Sequence, residues 1–242
     1  MKNAFLAMLF GGLFLAAPVA ASDFVAQGDA LYQKGGLENF RQSIDIFLKA
    51  VEADPNDYEA NWKLARSYRW YGEQAKRDGL ENHKEICAEY GKEGMKYGEK
   101  AVQLKPDGVE GHYYYGLSVG IYSDGVSIFT ALKDGLKGRT QSSFEKAYET
   151  DKTFNDGGPM MALGRFWFVL PWPMNDKKKS LEFLREAHDM FPDNIEGMLY
   201  LGEVLLDAGK KSERPEAEAL LGKVAASDKA YFASWAKRLL ED

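Results

Sequence analysis

The chain has 242 residues, 45% of them hydrophobic and 28% charged, with a formal net charge of −6. So acidic a balance argues against nucleic acid and anionic membrane surfaces as partners, and the single cysteine, Cys87, excludes an internal disulfide. The length suits one domain with an extended core, and no Ser/Pro-rich linker divides it.

Residues 1–21 read as a cleavable export leader. Lys2 supplies the positive start, Ala4 to Ala17 is an apolar run, and Val19-Ala20-Ala21 is a small-residue cleavage signal before Ser22. The run falls short of the ~20 apolar residues that a membrane-spanning helix needs. No cysteine follows it to accept a lipid. The expected product is a periplasmic protein of residues 22–242, not a lipoprotein, and loss of Lys2 leaves it one charge more acidic. Cys87 itself reads as a small apolar helix residue.

From there on, one phrase recurs. Ala50, Ala101 and Ala187 each close a helix and are followed five residues later by Pro55, Pro106 and Pro192; Ala147 repeats the phrase with Lys152 in the proline's place. The corresponding helices span Ser43–Glu52, Gly94–Leu104, Ser142–Thr150 and Ser180–Met190. Between them lie segments with large apolar residues on either side of a small one: Ala65 within Trp62–Tyr68, Gly116 within His112–Val119, Gly164 within Met160–Trp167 and Gly202 within Met198–Leu205. Each reads as one amphipathic helix face, and the small residue lets a partner helix approach closely. Gly157-Gly158-Pro159 starts the third of these: glycines for the turn, proline for the first helical position. Pro171-Trp172-Pro173 cannot be helical and marks a loop. Alternating helices of this kind predict an all-α, right-handed superhelical solenoid of ten to twelve helices.

The motifs that carry chemistry are missing. His83, His112 and His188 are scattered, without the spacing of a zinc site, and there is no Gly-x-Ser-x-Gly, phosphate loop or dinucleotide fingerprint. The carboxylates fall on polar helix faces. The chain therefore reads as a non-enzyme without metal or cofactor.

The Leu-Gly pairs and the Ala-x4-Pro endings resemble tetratricopeptide repeats, about five of them from Phe24 to Ala226. Gaps of 36, 31 and 23 residues separate Ala65 from Ala101, Gly116 from Ala147 and Gly164 from Ala187. These exceed what the family's 34-residue period allows. The extra residues lie between the two helices of a repeat, either lengthening them or adding to one edge of the solenoid. The resemblance also implies a concave wall at positions three before, one after and four after each small residue. That selects Trp62, Arg66 and Arg69; Tyr113, Leu117 and Gly120; Met161, Arg165 and Phe168; and Leu199, Glu203 and Leu206. Arginine beside aromatic residues is what an amphipathic organic acid needs: a fork for its carboxylate and an apolar slot for its body. The competing expectation is that each arginine pairs with a nearby acid such as Glu59 or Glu203, or that the end helices fill the groove.

The stretch from Asp151 to Leu205 is more specific. Its order of Gly157-Gly158-Pro159, Leu163-Gly164-Arg165, Leu170-Pro171, Lys178-Lys179-Ser180-Leu181 and Leu201-Gly202 resembles the T component associated with TRAP (tripartite ATP-independent periplasmic) transporters of organic acids. The resemblance implies a periplasmic binding or adaptor protein that oligomerises, contacts a substrate-binding subunit and holds a small, partly apolar ligand. The phrase Trp62-Lys63-Leu64-Ala65-Arg66 is similar as well to a microtubule-associated tetratricopeptide family. The alternative role is a cell-envelope scaffold that recruits peptide segments into its groove.

Overall fold

Apolar residues at helical spacing, interrupted by short capped turns, produce twelve α-helices and no strand among residues 21–241, the part that the computed structural model describes. The expected leader lies, apart from Ala21, outside those residues. The helices are α1 (Ala21–Lys34), α2 (Leu37–Ala53), α3 (Tyr58–Arg77), α4 (His83–Leu104), α5 (Val109–Gly125), α6 (Ile128–Lys133), α7 (Leu136–Asp151), α8 (Phe154–Val169), α9 (Lys177–Met190), α10 (Ile195–Ala208), α11 (Arg214–Ala225) and α12 (Ala230–Glu241). Sequential neighbours pack into five hairpins, α1–α2, α3–α4, α5–α7, α8–α9 and α10–α11, with α12 closing the stack. This is the solenoid that the spacing predicts.

Side-chain caps fix where the helices begin. Asp57 accepts from Ala60 N, Asp176 from Lys179 N and Asn194 from Gly197 N, each at 3.0 Å. Each satisfies one of the amide donors that a helix start leaves without a partner. Pro55, Pro106 and Pro192 follow directly on the ends of α2, α4 and α9. Lys152, the residue without proline, instead donates to Glu186 of α9 at 2.6 Å and ties α7 to the next hairpin. At the start of α8 the backbone turns through Asn155, Asp156 and Gly157 with φ of 52°, 52° and 84° before running on through Pro159. Glycine suits the last of these, since a positive φ costs it nothing.

The small residues sit at the hairpin seams. A Cβ on Gly116 would lie 2.6 Å from Phe144 of α7; on Gly164, 2.5 Å from Leu184 of α9; and on Gly202, 2.7 Å from Leu221 of α11. Gly28 of α1 plays the same part against Phe47 of α2, also at 2.7 Å, which makes it the small residue of the first hairpin. Phe47, Leu184 and Leu221 are wholly buried. Each fills the notch left by a glycine, so helices approach without losing packing density. The core of the described residues is a chain of six such clusters, several of which join a seam to the next hairpin.

The extra residues do three different things. In the second hairpin they lengthen α3 and α4 to 20 and 22 residues. In the third they are shared between a longer α5 and the short α6. In the fourth they form the Leu170–Asp176 loop, which carries an exposed Trp172.

Candidate binding groove

Numbering each hairpin from its small residue places Gly28, Ala65, Gly116, Gly164 and Gly202 at equivalent points. The residues that follow them then form rows across the inner wall. The first row, one residue on, is Asp29, Arg66, Leu117, Arg165 and Glu203. Two neighbouring pairs in this row touch across the repeats. Arg66 donates from Nη2 to Asp29 at 2.7 Å, and Arg165 donates from Nη1 to Glu203 at 2.5 Å. Arg66 also lies flat on the Tyr32 ring, 3.7 Å from its centre. Arg165 sits among Phe168, Tyr200 and Trp235, at 5.5, 5.1 and 5.0 Å from their rings. Burial pushes the Glu203 carboxyl above its ordinary value, against the pull of Arg165. Both arginines are thus engaged by acids of the adjoining repeat. Glu59 pairs not with an arginine but with Lys63.

The row four residues on is Tyr32, Arg69, Gly120, Phe168 and Leu206. Here the arginine is hydrogen-bonded to no acid of a neighbouring repeat, although the charge of Glu196 on α10 acts on it. Its row partner in the next hairpin is Gly120, and a Cβ built there would find nothing within 4 Å. Gly120 lies on a half-open cavity of about 350 Å³, walled by α1, α3, α5, α7, α8 and α10 and flanked on one side by Tyr231 and Trp235 of α12.

Of the eight residues expected in the groove, Arg69, Tyr113, Leu117, Met161 and Arg165 line this cavity; Trp62, Arg66 and Phe168 do not. Trp62 is spent on stacking against Tyr114, with ring centres 5.5 Å apart and planes 6° from parallel. Phe168 packs into the cluster around α10 and α12. Of the other wall positions, Gly120 lines the cavity and Leu199 is fully buried in the core. Among the residues that the repeat register missed are the charged Glu73, Lys76, Asp124 and Glu196, Tyr32 and the α12 aromatics. Tyr32 lies in a hairpin whose small residue, Gly28, has no Leu-Gly phrase around it. The α12 aromatics lie outside the repeats altogether.

Charge in the groove concentrates on α3. Glu73 is shared by three cations of the same helix: Arg77 Nε donates to it at 2.9 Å, while Arg69 and Lys76 stand 3.8 and 3.9 Å away. Burial raises its carboxyl, but Arg69, Lys76 and Arg77 outweigh that and hold it at about 2. Lys76 pairs in addition with Asp124 of α5. Glu196 of α10 accepts from the Tyr200 hydroxyl at 2.6 Å. Burial, then the nearby Glu196, pushes the Tyr113 hydroxyl up to about 12, so it stays a neutral donor at neutral pH. Such a site offers hydrogen bonds, one charged fork and apolar walls. No group of three or more His, Cys, Asp or Glu that could hold a metal occurs among the described residues. Cys87 is buried, and burial pushes its thiol up to about 11.

Comparison with known proteins agrees on the fold. TTC0263, a thermophilic TPR protein of Thermus thermophilus, superposes with a TM-score of 0.67 at 17% identity, covering 92% of this chain and 100% of that one. The MamA protein superposes at 0.51 and 19% identity, covering 84% and 89%. Both similarities are of fold alone. No curated protein matches the chain. Residues 24–170, which run from α1 to the end of α8, match the family model described as Regulator of microtubule dynamics protein 1-3. That match spans more than half of the sequence, and the chain therefore belongs to the family of regulator of microtubule dynamics proteins 1-3.

Proposed function

We propose that the protein is a non-catalytic binding and adaptor protein whose groove holds a ligand or a partner's side chain, in the manner of the T component of TRAP transporters. The observation that carries this reading is the half-open cavity of about 350 Å³ on the concave wall. It is within the size range of small-molecule sites and is built from apolar walls with a few converging polar groups. The resemblance of residues 151–205 to T components supplies the setting, a periplasmic protein alongside a substrate-binding subunit. The leader expected over residues 1–21 supports export.

The test mixes purified protein with the substrate-binding subunit encoded nearest to it and follows sedimentation. A complex that Gly120→Leu weakens is expected, because that side chain would grow into the cavity without touching the seams. Absence of any complex would overturn the transporter setting. Intact mass is expected to show a protein beginning at Ser22; retention of Met1 would contradict export. A second reading, favoured by the family match over residues 24–170, is a role in regulating microtubule dynamics, which the family description names, exercised by binding microtubules. Co-sedimentation with polymerised tubulin separates the two.

A further inference from the structure

Resting on the reading of the groove as a binding site, we infer that its ligand is an amphipathic monocarboxylate whose carboxylate is held by Arg69. Two guanidinium groups line the cavity. Arg165 is already bonded to Glu203. Arg69 makes no hydrogen bond to any described residue, and its buried Nε has no partner. Its nearest carboxylate, Glu73, is 3.8 Å away, beyond hydrogen-bond reach, and is taken by Arg77. Trp70 lies under the guanidinium at 4.3 Å and fixes its plane. A planar fork with free donors, on the same cavity as Gly120, is matched by a carboxylate, which accepts two parallel N–H bonds.

The remaining walls define the rest of the molecule. Leu117, Met161, Ala162 and Phe166 give the cavity apolar walls, so the body of the ligand is hydrocarbon or aromatic. Glu73, Asp124 and Glu196 also line it, and no cation among the lining residues is left to answer a second negative charge: Lys76 is held by Asp124, and Arg165 by Glu203. A dicarboxylate would bring its second charge up to these acids, and like charges placed together are how a site rejects the wrong ligand. One carboxylate is accepted and two are not.

Isothermal titration of the mature protein with three probes of equal chain length tests this: octanoate, its neutral analogue octanamide, and the dicarboxylate suberate. Octanoate is expected to bind roughly 10- to 100-fold more tightly than octanamide, the range that one charged hydrogen-bonding group supplies. Suberate is expected to bind more weakly than octanoate. In Arg69→Gln the preference for octanoate over octanamide disappears, while Arg165→Gln keeps it. Should Arg69→Gln fail to fold, Arg69→Lys retains the charge without the fork and is expected to lose most of the preference. Equal binding of octanoate and octanamide to the wild type, a preference that survives Arg69→Gln, or suberate binding as tightly as octanoate would overturn the inference. In each of these cases the groove still binds and the adaptor reading stands. No binding of any probe would also overturn it, and the sedimentation experiment would then decide the adaptor reading separately.

Discussion

The two ends of the groove put arginine to opposite uses. At the α8–α10 end, Arg165 is bonded to Glu203, flanked by three aromatic rings, and joins two hairpins and α12 into one wall. At the α3 end, Arg69 has a tryptophan beneath it and a glycine where its row partner's side chain would be. The residue type is the same, and so is the face of the solenoid. What differs is whether the next repeat offers an acid. Where it does, the guanidinium stitches repeats together; where it offers Gly120, the donors stay open and the wall acquires a site. In a repeat protein, then, function can arise by leaving one rung of a ladder unfilled.

That contrast can be broken at several points. The largest effect is expected in acid. Glu73 has its carboxyl held at about 2 against an ordinary value of 4.5. A depressed carboxyl contributes stability that is fully present above pH 4.5 and is lost as the pH falls towards 2. The loss amounts to about 3 kcal/mol. Denaturant unfolding between pH 5 and 2 is expected to show it, with a flatter profile in Glu73→Gln; identical profiles would mean that the three cations of α3 are not focused on this acid.

A similar loss is expected at the seams. Gly164→Leu would drive a side chain into the wholly buried Leu184, whose Cγ already lies 2.5 Å from where a Cβ would stand. Overpacking of this kind costs about 3 kcal/mol at its upper end. Gly120→Leu, facing open space in the same class of helix, is expected to leave stability within about 1 kcal/mol of wild type or above it, since glycine is itself a poor helix former. Thermal melts of the two variants compare a glycine kept for packing with one kept for space. Equal losses would refute the distinction.

The hairpins and their seams were legible in the sequence because each seam repeats the same residue types: a small residue on the first helix and a large apolar one on the second. Gly116, Gly164 and Gly202 meet Phe144, Leu184 and Leu221 in this way. Which arginine would be free was not legible in the same way. Arg165 and Glu203 are 38 residues apart, and Arg66 and Asp29 are 37 apart. Those separations become meaningful only once Gly28 is recognised as the first small residue and the rows are aligned. The signal was present, since all four residues follow directly on a small one, but it lies between repeats and not within them. The α12 aromatics were beyond such reasoning, because a capping helix carries no repeat pattern and its docking depends on how far the superhelix has curved. Nor does spacing say whether extra residues lengthen a helix or make a loop; only Pro171-Trp172-Pro173 decided that in advance.

The central claim is that Arg165 belongs to the scaffold and Arg69 to the site, and paired stability measurements on Arg165→Gln and Arg69→Gln test it most directly. Arg165→Gln loses a charged hydrogen bond and leaves the half-buried Glu203 unanswered, so a loss of about 2 kcal/mol is expected. Arg69→Gln gives up its stacking on Trp70 and its share of the charge that holds Glu73, which keeps Arg77 and Lys76, so a smaller loss of about 1 kcal/mol is expected. Equal destabilisation, or a larger one for Arg69→Gln, would contradict the account.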